Sequence, residues 1–147
     1  MIIDLKKLKR SGKQESDFFF LYEPQENLIE LPDAKILDPI RVNGTIFLTG
    51  EHSAFVEGQV NFCVQGSCTR CLSETEKEYL LDFEENVEQN NPDGYELKND
   101  MVDLSKIVDD LIMINSPVSF LCKDDCKGIC LGCGENLNTS QCKCKNK

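Results

Sequence analysis

Histidine is almost absent from the chain, since His52, in a predicted turn, is the only one among 147 residues. The sequence also lacks a glycine-rich phosphate loop and the G-x-S-x-G pattern around a nucleophilic serine. Catalysis by a nucleophile–histidine pair therefore has little support, beyond the chance that His52 meets a cysteine. We expect a protein that is not an enzyme and takes no small-molecule substrate.

Long apolar runs are missing as well. The opening residues MIIDLKKLKR become charged too early for a signal peptide, and no later segment approaches the length of a membrane span. The sequence therefore predicts a cytoplasmic protein without a membrane partner. In a reducing cytosol, clustered cysteines are typical of metal sites or redox thiols rather than structural disulfides.

Positive charge is scarce and unevenly placed. The chain has 16 basic and 26 acidic residues, for a net charge of −10. Residues 1–13 carry a net +4 and residues 143–147 a net +3, which leaves about −17 on the remainder. An acidic surface repels nucleic acid, so any RNA contact would have to use the basic ends or the cysteine-rich loops.

What the chain has in abundance is cysteine, with six of its nine in the segment after Leu121. That segment has few large apolar residues and cannot order itself by the hydrophobic effect. Thiolate-bound metal would supply the missing folding free energy. The six cysteines are Cys122, Cys126, Cys130, Cys133, Cys142 and Cys144.

Three segments upstream alternate apolar and polar residues with the period of a strand: 39–49, 54–65 and 74–87. Their short connections predict an antiparallel meander with one face buried. The second segment is predicted to bury one set of side chains and to place Cys63, an ordinary strand thiol, on the other face. The pair Cys68 and Cys71, in CTRC, should lie at the tip of the following hairpin. The predicted buried set is Val56, Val60, Phe62 and Val64, and Tyr79, Leu81 and Phe83 alternate with polar residues in the third segment.

Two helices are predicted, over residues 2–10 and 103–115, with Asp4 and Asp103 as caps. The second should pack on the sheet through an apolar stripe. Segment 17–22 should be a strand or a buried extended segment, and 88–100 a polar surface loop. Asn43-Gly44 indicates a bulge or turn, and no internal repeat is apparent. The stripe comprises Leu104, Ile107, Val108, Leu111 and either Met113 or Ile114.

These elements predict an α+β fold: an antiparallel β-meander with one main packed helix and a cysteine-rich, zinc-knuckle C-terminal module. Residues 1–118 should form the body with the sheet, and residues 119–147 a zinc-binding module docked on it. Zinc prefers four ligands in a tetrahedron, and two closely spaced cysteine pairs can provide them. Gly128 and Gly134 are suited to the tight turns beside such pairs. Eight cysteines divide into two sets: Cys130, Cys133, Cys142 and Cys144 close in sequence, and Cys68, Cys71, Cys122 and Cys126 across the helix.

Other readings of the same cysteines stay open. The spacing of Cys126, Cys130 and Cys133 matches the C-x3-C-x2-C of radical iron–sulfur enzymes, but those enzymes need a large barrel. A thiol switch that releases zinc on oxidation is a further possibility. The bases among the cysteines either compensate the thiolate charge or form a phosphate-contacting surface: Arg70, Lys123, Lys127, Lys143 and Lys145.

The chain resembles the YceD family of bacterial and plastid proteins. The resemblance rests on CTRCL at 68–72, an acidic loop, DLSKIVDDLIMINSPV at 103–118 and CKDDCKGICLGCGENLNTSQCKC at 122–144. The motif C-K-G-[IL]-C-x-x-C-G-x-N-L-N within the last segment is highly specific. The resemblance covers roughly residues 36–144, and residues 1–35 resemble the family only loosely.

This resemblance implies a role in the maturation or accumulation of large-subunit ribosomal RNA, without a known catalytic activity. It also implies an association with large-subunit assembly, because the gene commonly neighbours that of a large-subunit ribosomal protein. Some members lack the Cys130–Cys144 module and keep the hairpin pair with His or Cys near Cys122 and Cys126. The partner expected from it is the large-subunit precursor, met through its RNA or through a basic ribosomal protein, for which the chain would be an adaptor or chaperone.

Overall fold

The computed structural model describes residues 1–24, 27–37 and 39–144. It contains two short helices and eight strands within these residues, an α+β arrangement as the sequence predicts. In chain order the elements are β1 (Ile2–Asp4), α1 (Leu5–Arg10), β2 (Glu15–Tyr22), β3 (Lys35–Ile36), β4 (Ile40–Gly50), β5 (Ser53–Ser67), β6 (Glu74–Glu88), β7 (Tyr95–Glu96), β8 (Met101–Asp103) and α2 (Leu104–Ile114).

The main sheet has the strand order β2-β4-β5-β6-β7, and β3 pairs with β5 beyond the end of β4. The pairs from β2 to β6 are antiparallel, which confirms the meander, but β7 adds to β6 in parallel. The turn between β5 and β6 spans residues 68–73 and holds both cysteines of CTRC. The longest hairpin of the described chain therefore carries the first cysteine pair at its tip, as expected.

One face of this sheet forms the core. Alternate side chains of β5 are buried, and the four predicted from the sequence all have exposed fractions of 4% or less. On β6, Phe83 is buried while Tyr79 and Leu81 are half-buried against the same core. Tyr79 stacks on Phe62 with ring centroids 5.3 Å apart. The period of two in the sequence thus correctly identified the core face.

The two helices begin in the same way, which reveals a repeat that was not predicted. The carboxylate of Asp4 accepts a hydrogen bond from the Lys6 N–H, and that of Asp103 accepts one from the Ser105 N–H. Both caps are confirmed, but residues 2–4 are strand β1, paired with β8, rather than the start of a helix. I-D-L-x-K-L and V-D-L-x-K-I are therefore two copies of one strand–cap–helix unit.

Helix α2 buries a different stripe from the predicted one at its C-terminal end. Ile112 is completely buried, whereas Met113 is 52% and Ile114 81% exposed. Leu104, Ile107 and Val108 are buried and Leu111 is half-buried, as expected. The difference follows from the helical period, because the face that starts at Leu104 and Val108 continues at Leu111 and Ile112. The prediction for the last turn of the stripe was wrong. The observed buried stripe begins at Leu104 and Ile107 and ends at Ile112.

Asn43-Gly44 is not a bulge, because it continues regularly through the pairing of β4 with β5. Gly44 on β4 is the cross-strand neighbour of Gly58 on β5. On the far side of each glycine, the next cross-strand neighbour is a phenylalanine, Phe18 on β2 and Phe83 on β6. A Cβ atom at Gly58 would lie 3.0 Å from the Phe83 ring and against the Asn43 carbonyl oxygen. The glycines therefore make room for two rings over the sheet, and the actual irregularity lies between Leu48 and Gly50.

One further prediction is confirmed and another needs correction. Segment 17–22 lies in strand β2, as expected, at the edge of the sheet, where the alternate side chains Phe19 and Leu21 are more than 60% exposed. Segment 88–100 is not only a polar loop, because it contains β7 and the buried Leu97. Leu97 donates its N–H to the Glu88 carbonyl, which ties this segment to the end of β6.

Replacing Gly58 with alanine tests the close approach of the two central strands. The new Cβ would meet backbone oxygen that cannot move without disturbing β4, so we expect the unfolding free energy to fall by about 1–3 kcal/mol in denaturant titration. The matched control is Gln59→Ala on the exposed face, which should change it by less than about 0.5 kcal/mol. A Gly58→Ala protein as stable as the parent would show that the sheet relaxes there freely.

Candidate metal centres

The β5–β6 turn has a distinct hydrogen-bond pattern. The Leu72 N–H donates to the Cys68 carbonyl over 2.9 Å, and the Cys68 N–H donates to the Ser73 carbonyl over 2.8 Å. Leu72 adopts a φ of 61°, in the left-handed region that usually favours glycine. This turn holds Cys68 and Cys71 at the two ends of one tight loop.

The turn at Cys130 and Cys133 repeats this pattern. Gly134 donates to the Cys130 carbonyl, and Cys130 donates to the Glu135 carbonyl, both over 2.8 Å. Gly134 has a φ of 73°, so it occupies the position that Leu72 takes in the first turn. The sequence indicated the role of Gly134, but it carried no signal for the same conformation at Leu72.

Four thiols meet where the hairpin tip contacts the segment after α2. Cys68 and Cys126 place their Sγ atoms 3.7 Å apart, and Cys71 and Cys122 place theirs 3.6 Å apart. All four Sγ atoms lie within 4.8 Å of one another. Three of these residues are buried and Cys122 is half-buried. We call this set the proximal tetrad.

A second group of four thiols lies within the C-terminal segment. The Cys130 Sγ is 3.4 Å from that of Cys142 and 3.6 Å from that of Cys144. With Cys133, their Sγ atoms again lie within 4.8 Å of one another. Three of the four are exposed to solvent. We call this set the distal tetrad, and the structure thus groups the eight thiols in the same two sets as the sequence analysis.

The arrangement of both tetrads suits a tetrahedral metal ion. Zinc bonded to four sulfurs at 2.3 Å holds those sulfurs about 3.8 Å apart. Four Sγ–Sγ distances in the tetrads are 3.4–3.7 Å, close to that value, and no pair within a tetrad exceeds 4.8 Å. Four thiolates complete the coordination of zinc and leave no position for water, which is the pattern of a structural site.

The acidities of the thiols also favour a cation in each tetrad. Burial alone would raise the pKa of Cys68, but N–H groups of Cys71, Cys122 and Arg70 outweigh it and lower that pKa to about 6. Burial and the neighbouring thiols instead raise the pKa of Cys122 to about 12. Without a cation the four sulfurs cannot all be ionised, because each thiolate disfavours the next.

The distal tetrad shows the same contrast. Backbone N–H groups of Cys133 and Gly132 lower the pKa of Cys130 to about 6. Hydrogen bonds with the neighbouring thiols raise the pKa of Cys144 to about 12. A bound divalent cation would offset the free-energy cost of removing the last proton from the four thiols, because metal coordination deprotonates a thiol outright.

Backbone contacts hold the two parts of the proximal tetrad together. The Thr69 N–H donates to the carbonyl of the buried Phe120 over 2.7 Å. Arg70 donates from Nη1 to the Cys126 carbonyl over 3.2 Å and accepts the Ile129 N–H at its own carbonyl. These hydrogen bonds join the hairpin tip to residues 120–129.

Two residues that support the sulfurs were not foreseen. The Ser73 hydroxyl lies 2.8 Å from the Cys71 Sγ, and the Asn138 amide donates to the Cys126 Sγ over 3.3 Å. Ser73 lies two residues after Cys71, but Asn138 lies in the C-terminal segment, between Cys133 and Cys142. Nothing in the spacing of the cysteines indicates that an asparagine there reaches the proximal tetrad.

Most of the bases suggested as RNA or partner contacts already have partners. Arg70 binds the Cys126 carbonyl, Lys123 lies 3.8 Å from Asp125, and Lys143 forms an ion pair with Glu135. Lys127 is exposed and makes no side-chain ion pair within the described part of the chain. Lys145 lies outside the described residues.

Residues 56–147, which include both tetrads, match the sequence model of a family described as large ribosomal RNA subunit accumulation protein YceD. The chain belongs to the YceD family. The match begins within β5 and extends over the hairpin tip, α2 and the C-terminal cysteines. The family resemblance inferred from the motifs is confirmed.

Two curated relatives share a shorter segment, and both are named large ribosomal RNA subunit accumulation protein YCED homolog 1, chloroplastic. The relative from Zea mays is 47% identical over 45 residues, which are 30% of this chain and 15% of that protein. The one from Arabidopsis thaliana is 42% identical over 43 residues, 29% of this chain and 13% of that protein. The aligned part thus spans less than a sixth of these relatives.

No solved structure matches the chain. Neither described helix has the length and apolar character needed to traverse a bilayer.

Substitution of one cysteine in each tetrad distinguishes their contributions to stability. Cys71→Ser should lower the unfolding free energy by about 2–4 kcal/mol more than Cys142→Ser, because the proximal tetrad closes a long loop of the chain. Thermal unfolding and elemental analysis of protein purified without added metal check this, with two zinc ions per chain expected for the parent. The control is Cys63→Ser, a thiol outside both sets. Equal losses in the two variants would contradict the assignment.

Proposed function

We propose that this protein is a non-catalytic factor for the accumulation and maturation of large-subunit (23S) ribosomal RNA, acting during large-subunit assembly from a zinc-stabilised scaffold. The family match over residues 56–147 carries this proposal, because it spans both tetrads. The protein would act in the cytoplasm, where reducing conditions keep the thiols available for metal.

Each tetrad would hold one structural Zn²⁺ through four thiolates. In the proximal site the ion would join the hairpin tip of a body formed by residues 1–118 to a C-terminal module formed by residues 119–147. In the distal site it would close the exposed end of that module as a zinc knuckle. A coordinatively complete zinc supports binding rather than catalysis, since no water can be activated on it.

The outer sheet face favours a basic protein as the direct partner. We define this face as the side chains of β2 to β6 that point away from the core. It carries two bases, Lys35 and Arg41, and nine exposed carboxylates, none of which forms an ion pair within the described residues. The carboxylates belong to Glu15, Asp17, Glu57, Glu74, Glu76, Glu78, Asp82, Glu84 and Glu88.

Several features of this face are costly unless something binds it. Glu57 and Glu84 are direct cross-strand neighbours, a like-charge pair that destabilises a sheet. Phe19, Leu21 and Leu80 are each about 60% exposed on the same face. Carboxylates mixed with apolar side chains complement a basic polypeptide and repel a phosphate backbone.

The second candidate function is therefore an adaptor or chaperone for a basic ribosomal protein, with the effect on ribosomal RNA following from that protein. Direct RNA contact would depend on Lys127 and on the ends of the chain, since Arg70, Lys123 and Lys143 already have partners. Both candidates share the scaffold and differ in the surface that meets the partner.

A complementation experiment tests the proposed role. In cells depleted of the protein, we expect the ratio of 23S to 16S ribosomal RNA to fall, and the parent chain and Cys63→Ser to restore it. Cys68→Ser should fail, because its thiol is completely buried in the proximal tetrad. An unchanged ratio on depletion would overturn the function, and full rescue by Cys68→Ser would overturn the need for the scaffold.

Charge reversal on the two surfaces separates the candidate partners. The double variant Glu78→Lys/Glu84→Lys should lose a basic ribosomal protein that co-purifies with the parent after nuclease treatment. It should fold at least as stably, since it removes the repulsion between Glu57 and Glu84, worth about 0.2–1 kcal/mol. Lys127→Glu is the matched control and should keep that protein. The reverse pattern, with salt-sensitive RNA binding lost only in Lys127→Glu, would identify RNA as the direct partner.

A further inference from the structure

Asn138 connects the distal segment to a sulfur of the proximal tetrad. Its Nδ2 donates to the Cys126 Sγ over 3.3 Å, and its Oδ1 accepts the Lys127 N–H over 2.9 Å. A backbone N–H can only donate, so the amide oxygen must face Lys127 and the amide nitrogen must face the sulfur. The orientation of this side chain is therefore fixed by its own contacts.

Asn136 holds Asn138 in that position. Its Oδ1 accepts both the backbone N–H and the side-chain Nδ2 of Asn138, each over 2.9 Å. Asn136 is itself paired with Ile129 in an antiparallel bridge, and Leu137 donates to the Gly128 carbonyl. A continuous series of hydrogen bonds thus links the small hairpin of the distal segment to Cys126.

The position of Asn138 in the chain makes this link depend on the distal tetrad. Asn138 lies between Cys133 and Cys142, inside the loop that the distal thiols close. Apolar packing contributes little there, because Leu131 is fully exposed and Leu137 is only half-buried. Apart from its hydrogen bonds, the loop would therefore take its order from a metal held by its cysteines.

We propose that Asn138 is a positioning residue of the proximal metal site and couples it to the distal one. A zinc ion with four thiolates carries a net charge of about −2, so a hydrogen bond donated to one sulfur stabilises the ionised site. Metal in the distal tetrad orders the loop that presents this donor to Cys126. By linkage, metal in the proximal tetrad strengthens the distal site by the same factor. The inference rests on the zinc scaffold proposed above.

Chelator competition read by native mass spectrometry tests the first part, with freed cysteines mapped by alkylation to assign each lost zinc. We expect Asn138→Ala to weaken zinc binding at the proximal tetrad about 10–100-fold, the usual effect of removing a residue that supports a metal ligand. Asn138→Asp should weaken it at least as much, because it keeps the acceptor for Lys127 but replaces the donor with an anion. Gln141→Ala, an exposed change in the same loop, is the control and should have no effect.

Combining substitutions tests the coupling. Cys142→Ser/Cys144→Ser should weaken the proximal site in a similar way, and adding Asn138→Ala to that variant should cause no further loss, because its donor is already displaced. Additive losses, or an Asn138→Ala site within twofold of the parent, would overturn the proposal while both zinc ions remained bound. A parent protein that binds no zinc at either tetrad would overturn the scaffold as well, so the two failures can be told apart.

Discussion

The convergence of four sulfurs in the proximal tetrad is the constraint on which the C-terminal half of the protein depends. Cys71 and Cys122 are 51 positions apart in sequence, and the whole of α2 lies between them. Backbone bonds from Thr69 and Arg70 align the two segments, but the residues around these sulfurs form only a small cluster, separate from the main core. An ion that binds all four thiolates would supply a cohesion that apolar burial does not provide there.

The two tetrads differ in their exposure, and this difference has physical consequences. The proximal sulfurs are enclosed between the hairpin tip and residues 120–129, whereas three distal cysteines are open to water. Metal exchange and oxidation both require access, so we expect the distal set to be the more reactive of the two. Asn138 lies in the loop between Cys133 and Cys142 and donates to the Cys126 Sγ, which is the contact on which the proposed coupling of the two tetrads rests.

The charge of the molecule is also divided between two surfaces. Carboxylates occupy six of the eight outward positions along β6, while the bases near the tetrads are mostly engaged in local contacts. Water and salt screen the repulsion on the outer sheet face, which reduces its cost without removing it. The repulsion among these carboxylates opposes folding, and recognition of a basic surface, as proposed above, would give their arrangement a physical reason.

Local patterns in the sequence were sufficient for the three long strands, for both aspartate caps and for the distal set of four cysteines, because each depends on short-range spacing. The proximal set consisted of the two closely spaced pairs that remained. Period-two alternation identified the core face of β5, and four closely spaced thiols could meet only within reach of their loops. Tertiary structure alone decided the remaining features, since they join residues distant in sequence. These are the pairing of β1 with β8, the pair of glycines on β4 and β5 that is covered by rings from β2 and β6, the burial of Ile112, and the contact of Asn138 with Cys126. Each depends on the packing of another element, which no local period encodes.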